Sequence, residues 1–168
     1  MNPPVKLTDL LAALQGSPEV VTFIDRTTGR PIRLEAVLYE AAKSRRPEVE
    51  DDSDWRNREL ELARSIVADR TKRFVPGPKP ADFPEYKTMQ NYISALNDRT
   101  IAFDLAQAIK ARGAFRQFKQ GVTHFGLRDD WFQFRDEALV ECARRWAKAN
   151  RLELDETSMP AAAPERPQ

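Results

Sequence analysis

Prolines at positions 76, 78, 80 and 84 divide this chain more firmly than any other feature. Each fixes its own φ near about −65°, removes a backbone donor, and pushes the residue before it away from helical backbone. Neither a helix nor a central strand can run through such a stretch. The sequence before residue 76 and the sequence after residue 84 must therefore form separate elements joined by an irregular connector.

Before the connector the pattern mixes strand and helix. Leu7, Leu10, Leu11 and Leu14 recur at helical spacing, with Gly16 placed to end the helix. Val20–Asp25 is β-branched and aromatic, Arg26–Gly29 supplies a turn in which Gly29 can take positive φ, and Pro31–Leu34 returns as the second strand of a hairpin. Residues 35–43 read either as helix or as strand running into helix. Residues 44–54 are acidic and lack large apolar side chains, the pattern of a solvated loop. Trp55–Thr71 reads as a helix with Leu60, Ala63, Ile66 and Val67 inward, and Lys72–Val75 as an extended segment able to add a third strand.

After the connector the period is helical throughout. Pro84 suits a first turn. Tyr86, Met89, Ile93 and Leu96 then line one face, and Asn97-Asp98 punctuates. A further helix carries Ile101, Leu105, Ala108 and Ile109 and stops at Gly113. Arg112–His124 follows, ended near Gly126. The last helix spans about residues 129–149, with Trp131, Phe134, Ala138, Cys142 and Ala149 inward and Leu139 and Trp146 on the flank. The fold class is α+β: an N-terminal β-hairpin, with a candidate third strand, and a mainly helical C-terminal half. Residues 1–154 are expected to form a single globular domain, and 155–168, with three prolines and three alanines, a disordered tail.

Bulk properties narrow the function classes. At 168 residues the chain can bury roughly 70% of its unfolded surface without a staple. One cysteine excludes an internal disulfide and fits a reducing cytosol, so the expected location is cytoplasmic. No apolar run approaches the roughly 20 residues of a membrane span, and the N-terminus lacks the apolar core of a secretory signal. A net charge of +1 offers no bulk attraction to nucleic acid or membrane. Its distribution is uneven, however. Arg99–Arg128 holds six cations against Asp104, whereas Pro47–Leu62 holds seven anions against two arginines. Either the basic segment is a face for polyanions, or the two patches meet each other across the fold.

The basic segment contains the candidate site. In Arg112-Gly-Ala-Phe-Arg-Gln-Phe-Lys119 two phenylalanines alternate with three cations. At about 100° per residue, Phe115, Phe118, Val122 and Phe125 share an arc of about 80°, and Arg112, Arg116 and Lys119 an arc of about 60° on its shoulder. The first set can anchor a helix while the second meets phosphate, arginine bidentately and lysine as a point charge. A solvated helix face explains the same spacing. Arg135 is the fourth candidate: it falls inside the apolar stripe of the last helix, where a cation is costly unless paired. It snorkels over Phe132, pairs with Asp136 or Asp104, or awaits an anionic ligand.

Little points to catalysis. His124 is the only histidine and projects away from the phenylalanine arc. With Cys142, read as a small core residue, it cannot make a zinc site without mostly carboxylate ligands. No glycine-rich phosphate loop, nucleophile elbow or dinucleotide fingerprint occurs. No cofactor or metal is expected.

At Gly113-Ala-Phe-Arg-Gln-Phe-Lys119 and Trp131-Phe-Gln-Phe-Arg-Asp-Glu-Ala138 the chain resembles a widespread bacterial family of uncharacterised proteins. Its members share a Gly-Ala-Phe-x-x-Phe-Lys core and a following aromatic Phe-Arg run. The likeness extends upstream to Tyr86–Ile93 and more weakly to Phe23–Gly29, covering roughly residues 20–150. Many members carry another arginine where Gln117 stands, so the basic shoulder is weaker here. The resemblance implies no activity or cofactor. The expected function is non-catalytic binding of a phosphate-bearing ligand, nucleic acid or nucleotide, on Arg112, Arg116, Lys119 and Arg135. A protein–protein adaptor meeting an acidic partner surface is the alternative, and an enzyme acting on nucleotides ranks last.

Overall fold

The computed structural model describes residues 2–44 and 54–157. The expected acidic loop lies almost wholly outside these residues, as does the tail beyond Thr157. The chain divides into two compact units. One comprises the residues up to Asp82 and those from Ala143 onward, and the other Phe83–Cys142.

The first unit is built on the expected hairpin. Strands β2 (Val20–Asp25) and β3 (Arg30–Glu35) pair antiparallel from Val20↔Glu35 to Asp25↔Arg30. These follow β1 (Val5–Lys6) and helix α1 (Leu7–Leu14), which buries Leu7, Leu10, Ala13 and Leu14. Gly29 closes the turn at φ +67°, and a Cβ there would meet the Pro4 carbonyl oxygen at 2.5 Å. Only glycine satisfies both the backbone angle and that approach. The extended segment expected near residue 74 is β4 (Phe74–Pro76), which pairs antiparallel with β2 and gives the sheet order β3-β2-β4. Pro76 is tolerated because β4 is an edge strand.

Of the two readings of residues 35–43, strand into helix is the one observed: α2 (Ala36–Ser44) starts directly after β3. The junction is held by Ala36 N–H to the Glu19 carbonyl at 2.7 Å and Glu35 N–H to Glu59 Oε1 at 2.7 Å. Glu59 lies on α3 (Asp54–Ala68), so one carboxylate ties the end of the sheet to the helix beside it. Phe23, Leu34, Ala42, Leu60, Ala63 and Ile66 form the core between the sheet and α2 and α3. Val67, expected inward, is 41% exposed.

Asp25 is 5% exposed and organises the hairpin end. It accepts the Arg73 Nε and Nη2 groups at 3.0 and 2.7 Å and Thr27 N–H and Oγ1 at 2.9 and 2.7 Å. The Arg73 hydrogen bonds hold its carboxyl well below the usual carboxylate range, outweighing the opposing effect of burial. At the other end of the sequence, Leu154–Asp155 is strand β5, paired parallel with β1. The expected start of the tail is thus paired backbone.

The second unit is helical: α4 (Glu85–Ala95), α5 (Arg99–Ala108), α6 (Ala114–His124) and α7 (Arg128–Ala149) up to Cys142. The connector ahead of it holds a single 3₁₀ turn, Pro80–Asp82. Asp98 caps α5 by accepting Thr100 and Ile101 N–H at 2.9 and 3.1 Å, which is the punctuation expected there. Gly113 does not end α5, whose last helical residue is Ala108. It starts α6 instead, in the left-handed conformation at φ 78°. At Gly121 a Cβ would meet Leu105 Cδ2 at 2.5 Å, so α6 approaches α5 more closely than a side chain there would allow.

Four aromatic rings fill the centre of this unit. Phe118 and Trp131 meet edge to face at 4.7 Å between centroids, and Tyr92 contacts Phe118, Trp131 and Phe134 at 6.2, 5.3 and 5.3 Å. The Tyr92 hydroxyl donates to Asp130 Oδ2 at 2.7 Å. Burial, and then that carboxylate, raise the hydroxyl above the usual phenol range. On α7 the buried stripe runs through Trp131, Leu139, Cys142, Ala143 and Ala147. Leu139 is therefore core rather than flank, and Ala149, expected inward, is exposed. Among the described residues no helix is long and apolar enough to cross a membrane.

Candidate functional site

Helix α6 places the three central candidates. Phe118 and Val122 are fully buried, with Ala114 and Phe125 packed against the same core, and this fixes the rotation of the helix. Arg116, Lys119, Gln120, Thr123 and His124 then form its outer strip, all exposed, around a shallow open groove. Arg112 precedes the helix and is exposed as well. No described side chain pairs with Arg112, Arg116 or Lys119. Gly113 offers no side chain to cap α6, so the first turn keeps its N–H groups and positive dipole end unclaimed by a capping residue.

One expected anchor is corrected. Phe115 is 48% exposed rather than buried. The buried stripe of α6 runs through Phe118 and Val122, and Phe115, although within the same arc, stands in the first turn ahead of both. An exposed ring therefore stands next to Arg116 in sequence, where a flat ligand could stack. Phe103 on α5 and Phe132 on α7 are 62% and 40% exposed, and the Arg128 guanidinium lies over Phe132 at 5.2 Å. His124 lies at the end of the outer strip, its ring 5.0 Å from Phe125.

Arg135 is engaged elsewhere. Its Nε and Nη2 donate to Glu85 Oε1 and Oε2 at 2.7 and 2.8 Å, and its guanidinium covers the Phe83 ring at 5.3 Å. The hydrogen bonds to Glu85 raise its pKa further, so the charge is permanent. The sequence left pairing open but named Asp136 and Asp104 as partners. Glu85 is fifty residues away in the chain, and no helical spacing could have found it. Replacing Glu85 by glutamine strands a cation whose side chain is only 23% exposed. We expect a loss of about 2 kcal/mol of stability, below the 3–5 of a fully buried pair because both partners are partly wet. Urea denaturation of E85Q checks it, and an R135M change on top should recover part of the loss.

Among the described residues no cluster of three or more His, Cys, Asp and Glu side chains could hold a metal ion. Cys142 is buried.

Comparison with known proteins adds one positive finding. Residues 49–161, more than half of the chain, match the profile of Uncharacterised protein family (UPF0158). The matched span includes α3 to α7 and both aromatic-basic runs, but starts after the hairpin, which the resemblance was expected to reach. No curated protein and no solved structure matches the chain.

Proposed function

The chain belongs to the uncharacterised family whose profile it matches, and we propose that it is a non-catalytic binding protein for a phosphate-bearing ligand, nucleic acid or nucleotide. The observation that carries this reading is the outer strip of α6. Arg116 and Lys119, with Arg112 just ahead of the helix, are exposed and have no described carboxylate partner, and they flank the uncapped helix start and the exposed Phe115 ring. Cations used for stability are normally paired, as Arg73 and Arg135 are here. Phosphate oxygens suit the unpaired set through arginine forks, a lysine point charge and backbone N–H groups, and a base can stack on phenylalanine. Arg135 is left out of the contact set, since Glu85 already occupies two of its donors. We also read the Gly-Ala-Phe-x-x-Phe-Lys run as the part its relatives share.

Fluorescence anisotropy with a labelled single-stranded RNA tests the reading. Wild-type binding should weaken with salt at a log–log slope of about −2, as three phosphate contacts predict at roughly 0.7 ions each. The double variant R116E/K119E should bind at least about tenfold more weakly at low salt and with a shallower slope. Unchanged affinity for RNA, DNA and free nucleotides in that variant would end the proposal. It would favour the adaptor reading, in which the same strip meets an acidic protein surface and a pull-down resists nuclease.

A further inference from the structure

The first unit contains a second candidate site, independent of the α6 reading. We infer that the hollow where the ends of α2 and α3 meet β2 and β4 binds a small planar anion: a flat apolar body carrying a phosphate, sulfonate or carboxylate.

The hollow measures about 510 Å³, within the range of roughly 300–1,000 Å³ typical of small-ligand pockets. Its walls are aromatic and aliphatic: Phe23 from β2, Tyr39 from α2, Phe74 from β4, and Ile66 and Val67 from α3. Phe23 and Tyr39 meet at 5.0 Å between centroids with a 55° tilt, which shapes a wall suited to a ring. Tyr39 and Phe74 are only half-buried and Val67 is 41% exposed, so apolar surface is left for an occupant to cover.

The rim sets the sign of the ligand. Arg26, Lys43 and Lys72 line it with a single carboxylate, Asp69. That carboxylate is already committed. Its Oδ1 accepts Thr71 N–H and Oγ1 at 2.8 and 2.5 Å, and its Oδ2 accepts Phe74 N–H at 3.1 Å. The three cations are less committed. Arg26 spends one N–H group on the Asn150 carbonyl at 2.9 Å, which positions the guanidinium, and among the described residues its other donors have no acceptor. Lys43 lies 5.5 Å from the Tyr39 ring and pairs with Glu40 at 3.0 Å, an exposed pair that a ligand can displace at little cost. Lys72 sits at φ 59°, a left-handed conformation that is unfavourable for a residue other than glycine. Asp69 braces that loop through the hydrogen bonds it accepts from Thr71 and Phe74. A braced loop, an aromatic wall and a cationic rim are what a flat anion needs, and neither an uncharged ring nor bare phosphate satisfies both halves of the site.

The dye 8-anilinonaphthalene-1-sulfonate, an aromatic anion with a flat naphthalene body and a sulfonate, is the probe. Added to the full chain it should bind one saturable site with enhanced fluorescence. K43A/K72A, both surface changes, should weaken that binding roughly tenfold or more, the worth of one charge-assisted contact. V67W, which fills the hollow from its exposed edge, should abolish it with an unchanged circular dichroism spectrum. Displacement by adenosine monophosphate would identify a phosphate-bearing ligand, and displacement by indole-3-carboxylate an aromatic acid; either supports the site. No saturable binding, binding indifferent to K43A/K72A, or displacement by uncharged adenosine as readily as by its monophosphate would overturn it. R116E/K119E should leave dye binding intact, so failure of the α6 reading and failure of this one are separable.

Discussion

Replacing Trp131 by alanine should cost about 4 kcal/mol of folding stability, the largest effect expected of any single change in this chain. Trp131 is 2% exposed and has ring contacts with both Phe118 and Tyr92. Truncation removes the transfer free energy of a large side chain and leaves a void, because its ring neighbours sit on two other helices, α4 and α6, and cannot close together. Tyr92 sits on α4 and is tied to Asp130 through its hydroxyl, Phe118 is fixed on α6, and Phe134 belongs to α7 itself. The edge-to-face contacts add roughly 0.5–1.5 kcal/mol per pair beyond area. Urea denaturation followed by tryptophan fluorescence and by circular dichroism measures it. A loss under about 1.5 kcal/mol, no more than a tolerated volume-conserving swap costs, would mean the aromatic cluster is not the support described.

The second large effect concerns Asp25. Asparagine preserves its shape but turns an amide toward the Arg73 guanidinium in place of a carboxylate oxygen. D25N should therefore lose about 2 kcal/mol at pH 7, within the range of a charge-assisted hydrogen bond and below that of a fully buried pair, since the Arg73 side chain is 48% exposed. The pH dependence has a definite sign. The folded carboxyl titrates below its unfolded value near 3.9, so the folded state holds fewer protons over that interval. Its contribution is complete above about pH 5 and is lost as pH falls toward the folded pKa. Wild type and D25N should accordingly converge in stability between pH 5 and roughly pH 2. Thermal melts across that range check it, and a constant difference would show that the Arg73 pair is not its origin.

What the sequence made legible follows from the range of the interactions involved. The hairpin, its Gly29 turn and the helices of the second half rest on neighbours within a few residues, and they stand close to where the pattern put them. The α6 shoulder was legible because Arg116 and Lys119 are about one helical turn apart, with Arg112 just ahead of the helix. Phe115 was misplaced because an arc computed for a whole helix ignores that the first turn has less around it to pack against. Leu139 and Ala149 were misplaced on α7 because the buried stripe, from Trp131 through Leu139 and Ala143 to Ala147, drifts around the helix instead of keeping one fixed inward direction. The Arg135–Glu85 and Asp25–Arg73 pairs join residues about fifty apart, and no local period encodes them. The hollow beside β4 draws on β2, α2, α3 and the loop after it, so none of its residues stood out in sequence. Strands of two residues, such as β1 and β5, are too short to show alternation at all.

The pairing of β1 with β5 has a consequence for the order in which the chain acquires its structure. Val5 and Lys6 are synthesised before their backbone partners, Leu154 and Asp155, which follow only after helices α1 to α7 have been made. Phe83–Cys142, by contrast, has its whole aromatic core on one continuous span and can assemble as soon as that span emerges. The unit that starts before Phe83–Cys142 is therefore completed after it. During synthesis its early strand is an unpaired edge awaiting a distant partner, the slow kind of closure in which loop entropy is spent before the contact rewards it.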